Sequence, residues 1–342
     1  MTAPPSALIL GCAGKELTDG ERDFYRDTDP LGFILFARNC ESPGQVRDLV
    51  ADFRGVVGRD DAPVLIDQEG GRVQRLKPPH WRDAPPAQVF ARLYESDRQA
   101  GCEAAYLNAL LIARDLADLG ITVDCAPVLD VPQPDAHDII GDRAYGQTPG
   151  PVAELGRAVC DGLLAGGVLP VIKHLPGHGR ALADSHLELP VVKASRGDLE
   201  TIDFPPFMEL ADMPWAMTAH VVYAAFDEAT PATTSATMID EVIRRHFGFD
   251  GLLLSDDIGM EALAGDFEDR TSRSLDAGCD IALHCSGDMN EMVAAARGAR
   301  PLGDEAMARV ARGESLRQNC SADPATSEAA LQRLQDLIGA AP

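Results

Sequence analysis

Short runs of apolar residues recur along the chain, each long enough for a strand and free of polar alternation. They lie at 7–10, 31–36, 62–66, 121–125, 167–173, 215–218, 251–255 and 280–285. Such runs suit strands buried on both faces, as in a parallel sheet. Between them the apolar period lengthens to that of a helix. After Ser42-Pro43, Val46, Leu49, Val50 and Phe53 recur at helical spacing. Residues 97–119 carry Cys102, Tyr106, Ala109, Ala113 and Leu116 on one face, and 151–164 carry Val152, Leu155, Val159 and Leu163. Further helical patterns cover 198–210 (interrupted by Pro205-Pro206), 237–246, 268–277 and 326–339. The last has Leu331, Leu334, Leu337 and Ile338 as one stripe. The Gly- and Pro-rich stretches 70–86 and 126–150 read as loops. Eight strands alternating with helices predict an α/β fold, a single (β/α)8 barrel of the TIM type. A doubly wound sheet is the alternative. No repeat, low-complexity tract or linker divides residues 1–342, so one catalytic domain is expected, with 300–342 as peripheral C-terminal helices.

A barrel of this kind carries its chemistry at the C-terminal ends of its strands. Asp67, Lys173, His174, Asp256 and Asp257 all fall at such ends. The densest stretch is Lys173-His-Leu-Pro-Gly-His-Gly179 with Asp184-Ser-His186 shortly after. So many titratable groups on a loop full of breakers suit a reactive site better than a core. A carboxylate such as Asp184 beside an imidazole such as His186 fixes its tautomer and raises its pKa, which suits acid–base work near neutral pH. Gly177 and Gly179 are read as letting this loop open and close. The bland alternative for Asp184 and His186 is a cap or a loop-stiffening hydrogen bond. Of the adjacent pair, Asp256 is assigned the reactive role and Asp257 a supporting one, against the alternative of a helix N-cap. Asp67 with Arg72 and Arg75 suits directional bonding to sugar hydroxyls. Arg143, in a turn after the fourth strand, reads on its own as a surface residue. Zinc held by His174, His178, His186 and Asp184 is a minor alternative, because the spacings match no helix-borne site. No cofactor or metal is expected; Gly11-Cys-Ala-Gly-Lys15 lacks the spacing of a phosphate loop.

Charge narrows the partners. The 342 residues hold 54 acidic and 30 basic side chains, a net −24, which disfavours nucleic acids and anionic membrane surfaces. Residues 1–14 have neither the basic stretch nor the apolar core of a secretory signal. The eight cysteines are scattered without a Cys-x-x-Cys pair, which reads as free thiols in a reducing cytoplasm.

Taken together, six stretches resemble glycoside hydrolase family 3 β-N-acetylglucosaminidases of the bacterial single-domain type. They are Ile66-Asp-Gln-Glu-Gly-Gly-Arg-Val-Gln-Arg75, Ala126-Pro-Val-Leu-Asp130, Gly141-Asp-Arg143, Lys173 to Gly179, Asp184 to His186, and Ser255-Asp-Asp257. The resemblance implies a (β/α)8 barrel and a retaining exo-hydrolase that removes terminal N-acetylglucosamine from N-acetylglucosaminyl-1,6-anhydro-N-acetylmuramyl peptides in the cytoplasm. It implies Asp256 as nucleophile, His186 as general acid/base and Asp184 as its orienting partner. Asp67, Arg75, Arg143, Lys173 and His174 are implied to hold the sugar. One departure is Asp124-Cys125, where Asn-Phe or similar is expected; its effect is expected on packing rather than chemistry. A phosphorylase with the same intermediate, a sugar-binding barrel without turnover, and a Schiff-base aldolase centred on Lys173 are the competing readings. A monomer or weak homodimer acting on a carbohydrate is expected.

Overall fold

The computed structural model describes residues 4–134, 138–185, 187–319 and 327–339. Eight parallel strands close into a barrel: β1 (Ser6–Leu10), β2 (Pro30–Leu35), β3 (Val64–Ile66), β4 (Val123–Asp124), β5 (Leu169–Leu175), β6 (Trp215–Thr218), β7 (Leu252–Asp257) and β8 (Ile281–His284). Each pairs with its neighbours in sequence, and β8 returns to β1 through Leu8↔Ala282 and Leu10↔His284. Nearly every strand residue is buried, because the interior fills one face of the sheet and helices cover the other. All eight apolar runs are therefore barrel strands, and the doubly wound alternative is excluded.

Helices are fixed at their ends by local chemistry. Ser42 accepts from the Gln45 N–H and Pro43 opens the helix Pro43–Val57, which stops at Gly58 in the left-handed region. Asp97 caps Arg98–Asp118, and Asp266 caps Phe267–Ala277. Thr18 and Glu21 form a reciprocal capping box at the start of Asp19–Thr28. That helix and Ala87–Ser96 were not anticipated by the apolar pattern. The segment expected as the loop 70–86 holds part of a small hairpin, Gln68–Gly70 with Val73–Gln74. The expected helix 237–246 is a wide-turned π-helix, Met238–His246. At the C-terminal end, Asp304–Asn319 and Ser327–Gly339 are helical. Ser327–Gly339 lies against Arg98–Asp118, buries Ala330, Leu334 and Leu337, and pairs Arg333 with Glu103 at 2.7 Å.

Register sets the level of the barrel mouth. Lys173 of β5 is level with Met217 of β6, which is level with Leu254 of β7. Alternation along β7 turns Leu252, Leu254 and Asp256 the same way. The charged residues thus follow the last apolar layer of the interior. Among the described residues no helix is long and apolar enough to cross a membrane. The seven described cysteines are free thiols, and Cys320 lies outside the described residues.

Candidate active site

The barrel mouth holds a cavity of about 350 Å³. Its floor is apolar, with Ile34, Met217 and Leu283, and its walls carry Asp67, Glu69, Lys173, His174 and Asp256. Arg75 and Arg143 close the sides.

Asp67 follows β3, and its two oxygens are divided between cations. Oδ1 accepts from Lys173 Nζ at 2.9 Å and Oδ2 from Arg75 Nη2 at 3.0 Å. Lys173 Nζ also meets Glu69 Oε1 at 2.7 Å, and Arg143 grips Glu69 with Nε and Nη2, each at 2.8 Å. Three cations and two carboxylates thus form one chain across the cavity wall. Burial alone raises both carboxyls, but Lys173 with Arg75 on Asp67, and Arg143 with Lys173 on Glu69, outweigh it. Asp67 is held well below the usual carboxylate range and Glu69 is lowered to about 2. Burial lowers the Lys173 ammonium, but the two carboxylates reverse this and hold its pKa above the usual lysine value. A Schiff-base lysine needs the opposite shift, so the aldolase reading loses its chemical basis.

His174 is positioned by Asp130, which is fully buried. Asp130 Oδ2 lies 2.7 Å from His174 Nδ1, while Oδ1 accepts from the His178 N–H at 2.6 Å. An ionised carboxylate only accepts, so Nδ1 carries a proton and Nε2 is left for the cavity. Burial pushes Asp130 up, yet His174 and His178 bring it below the ordinary value.

Asp256 lies at the end of β7 with its carboxyl on the cavity. Burial raises its pKa, but His174, His220, the backbone N–H of Asp257 and Lys173 together lower it. The Asp257 N–H reaches Asp256 Oδ1 at 2.8 Å. Asp257 turns to support: its Oδ1 accepts from the N–H groups of Gly259 at 2.9 Å and Cys285 at 3.2 Å. Its carbonyl oxygen accepts from His220 Nε2 at 2.9 Å.

The loop after β5 starts rigidly. Residues 171–179 are buried throughout. A side chain on Gly179 would come within 2.1 Å of the Val131 carbonyl oxygen, and one on Gly177 within 3.2 Å of Asp203. Gly179 is required by close packing and Gly177 by its positive φ of 133°, so each has a structural reason apart from the expected hinge role. Beyond them, Ser185 is buried, with Oγ 3.2 Å from His178 Nε2, and its carbonyl accepts from Ala262 N–H at 3.3 Å. Ala262 is two residues from Met260, which lines the cavity. Asp184 precedes this anchor, and its carbonyl caps a turn through the Leu187 and Glu188 N–H groups. His186 lies outside the described residues. His178 is pushed down to about 4, first by burial, so it is neutral at neutral pH.

The geometry brings together Asp67, Arg75, Arg143, Lys173, His174 and Asp256. Arg143 is a cavity group and not a surface residue, its side chain only 11% exposed. The sequence reading assigned no role to Glu69, Asp130 or His220. The first two lie within stretches already singled out, but the basic partners that define their roles are far away in sequence. Asp124 is fully buried, with Oδ1 on the Gln68 N–H at 2.9 Å and Oδ2 without a partner. Its neighbours include Asp67, Glu69 and Lys173, so its influence is electrostatic and not confined to packing. Among the described residues, no group of three or more His, Cys, Asp or Glu is arranged to hold a metal ion.

Residues 21–314 match the model of the glycosyl hydrolase family 3 N-terminal domain. The chain belongs to glycoside hydrolase family 3. It is 39% identical over 294 residues to a β-hexosaminidase of Thiobacillus denitrificans, covering 84% of this chain and 79% of that one. It is also 39% identical over 283 residues to a β-hexosaminidase of Alkalilimnicola ehrlichii, covering 82% and 80%. The crystal structure of NagZ from Neisseria gonorrhoeae in complex with N-trifluoroacetyl-D-glucosamine superposes with a TM-score of 0.88. That alignment spans 98% of this chain and 99% of that one at 30% identity. The closed barrel and its charged mouth are thus those of a family 3 glycoside hydrolase.

Proposed function

We propose that this β-N-acetylhexosaminidase is a retaining exo-enzyme that releases terminal β-linked N-acetylglucosamine from peptidoglycan-derived muropeptides, acting in the cytoplasm during cell-wall recycling. The observation that carries the reading is Asp256. It is an ionised carboxylate at the cavity wall, surrounded by groups that favour its anion, beside a cation-rich surface suited to sugar hydroxyls.

In the first step Asp256 attacks the anomeric carbon, the bond to the aglycone oxygen breaks, and His186 gives that oxygen a proton. In the second step His186 takes a proton from water, which displaces Asp256 from the sugar. Two-step retention usually employs two carboxyls about 5–5.5 Å apart; here the Asp184–His186 pair replaces one of them. The Ser185–Ala262 bond supports this role, because it ties the segment carrying the pair to the loop that follows Asp256. Asp67, Arg75, Arg143, Lys173 and His174 hold the ring, with Glu69 and Asp130 positioning them. The catalytic unit is the barrel with its C-terminal helices, and it works as a monomer or weak homodimer. The test is hydrolysis of an aryl β-N-acetylglucosaminide by wild type and Asp256→Ala, in buffers with and without phosphate. Equal rates would remove the nucleophile, and sugar 1-phosphate in place of free sugar would turn the enzyme into a phosphorylase.

A further inference from the structure

The sugar cavity continues beyond its rim. Arg72 lines both it and a second cavity of about 860 Å³, whose walls include Gln88, Gln133, Asp142 and Gln147. Gln133 and Pro134 are shared in turn with a third cavity of about 550 Å³, bounded by Arg180, Leu182, Val191 and Lys193. The Gln133 N–H donates to the Gly179 carbonyl at 2.9 Å, so the step between the last two is fixed to the rigid start of the loop. The lining changes along this path. The middle cavity is rich in side-chain amides, which suit hydroxyls and peptide groups. The outer one has two cations and an apolar wall.

Neither cation is fully matched. Arg180 gives Nε to Asp203 Oδ2 at 2.6 Å, but its Nη1 and Nη2 have no partner among the described residues, and Nη2 is buried. A buried donor without an acceptor is costly, because it has given up water for nothing. Lys193 is exposed, and its ammonium has no hydrogen-bond or ion-pair partner among the described residues. Elsewhere arginine heads are matched with carboxylates, as in Arg98–Glu154, Arg157–Asp212 and Arg333–Glu103. On a chain of net charge −24, an unpaired lysine beside an arginine with one open end stands out. A carboxylate placed between them would supply the missing acceptor. Leu182 (69% exposed) and Val191 (42%) would cover an apolar stem beside it.

We propose that the outer cavity is an aglycone subsite for a carboxylate, bound by Arg180 and Lys193. The inference rests on the hydrolase reading and adds to it a preference for leaving groups that are acidic at their far end. A neutral or basic aglycone would leave Lys193 and the open end of Arg180 without an anion.

The test uses three substrates with the same β-N-acetylglucosamine: a nitrophenyl glycoside, an N-acetylmuramyl tripeptide glycoside with free carboxylates, and the same compound with its carboxylates amidated. The nitrophenyl group is too short for the outer cavity and serves as the internal reference. Lys193→Gln should lower kcat/KM for the free acid roughly fivefold to tenfold, through KM, with the other two substrates unaffected. Arg180→Lys, which keeps a cation for Asp203, should lower it in the same selective way. Raising salt should weaken the wild-type preference for the acid. Equal effects on acid and amide, or none on either, would overturn the subsite. If wild type hydrolysed no substrate, the hydrolase reading would fail. The subsite would then be judged by calorimetric binding of the free muramyl tripeptide to wild type and Lys193→Gln. A weaker Kd in the variant supports it, and equal Kd values reject it.

Discussion

Glu69→Gln preserves shape and removes one charge from the centre of the cavity wall. The native side chain is 7% exposed and makes three contacts of 2.7–2.8 Å to Arg143 and Lys173, themselves 11% and 3% exposed. Without its charge, those two buried cations would depend on Asp67, which Arg75 already shares. Removing one side of a buried pair costs about 3–5 kcal/mol. The amide oxygen still accepts one bond, so the lower end is expected. Linkage agrees: a carboxyl brought from 4.5 to about 2 contributes about 3 kcal/mol. At about 2 °C per kcal/mol for a chain of this size, Tm should fall by about 6 °C at pH 7. The sign with pH follows from the lowered pKa. The stabilisation is complete above the unfolded value of 4.5 and is lost as pH falls through about 2. The gap between wild type and variant should therefore be constant from pH 6 to 7 and smaller by roughly two-fifths at pH 3.5. Thermal denaturation of both proteins across this range measures it, and KM for an aryl glycoside should rise because Arg143 loses its anchor. A gap below 1 °C, or one that stays the same at pH 3.5, would refute the account of Glu69.

Asp256→Ala should reduce kcat on the order of 10⁶-fold, the scale seen when a nucleophile is removed. His186→Ala should cost little with a nitrophenyl leaving group and far more with an alkyl one, because only the poor leaving group needs a proton; equal losses in a leaving-group series would count against the acid role. Asp124 is pushed to about 7, first by burial, so its folded pKa exceeds its unfolded value and stability falls as pH rises from about 4 to about 7. Asp124→Asn should accordingly be more stable than wild type at pH 8 by roughly 1–2 kcal/mol, with the advantage gone near pH 4, as read by urea titration at both pH values.

The strands were legible because burial on both faces removes polar alternation, and runs such as 252–254 and 281–283 can then serve little else. Helices were legible where an apolar stripe ran long, as in Arg98–Asp118. Ala87–Ser96 follows a Pro-rich stretch and has no side-chain cap, so nothing in the local sequence announced it. Asp19–Thr28 buries only Glu21 and Tyr25, too few residues for a stripe, although its Thr18–Glu21 capping box was a usable start signal. The side chains proposed as reactive stood out by type and by position at a strand end or on the loop that follows one. Glu69 and Asp130 did not, because their roles rest on partners 74 and 44 positions away. At glycines 177 and 179 sequence reveals a missing side chain but not the Asp203 and Val131 atoms beside it.

One carboxylate, Asp130, clasps both the ring of His174 and the backbone of His178. The cavity-facing imidazole and the root of the following loop are therefore clamped by the same two oxygens. Any excursion of that loop must pivot beyond residue 179, leaving an arm of about a dozen residues between the clamp and the short strand at Val191–Val192. Lengthening or trimming the arm would alter its reach while the cavity at the barrel mouth stayed in register. A change at Asp130 would loosen pocket and pivot in one stroke.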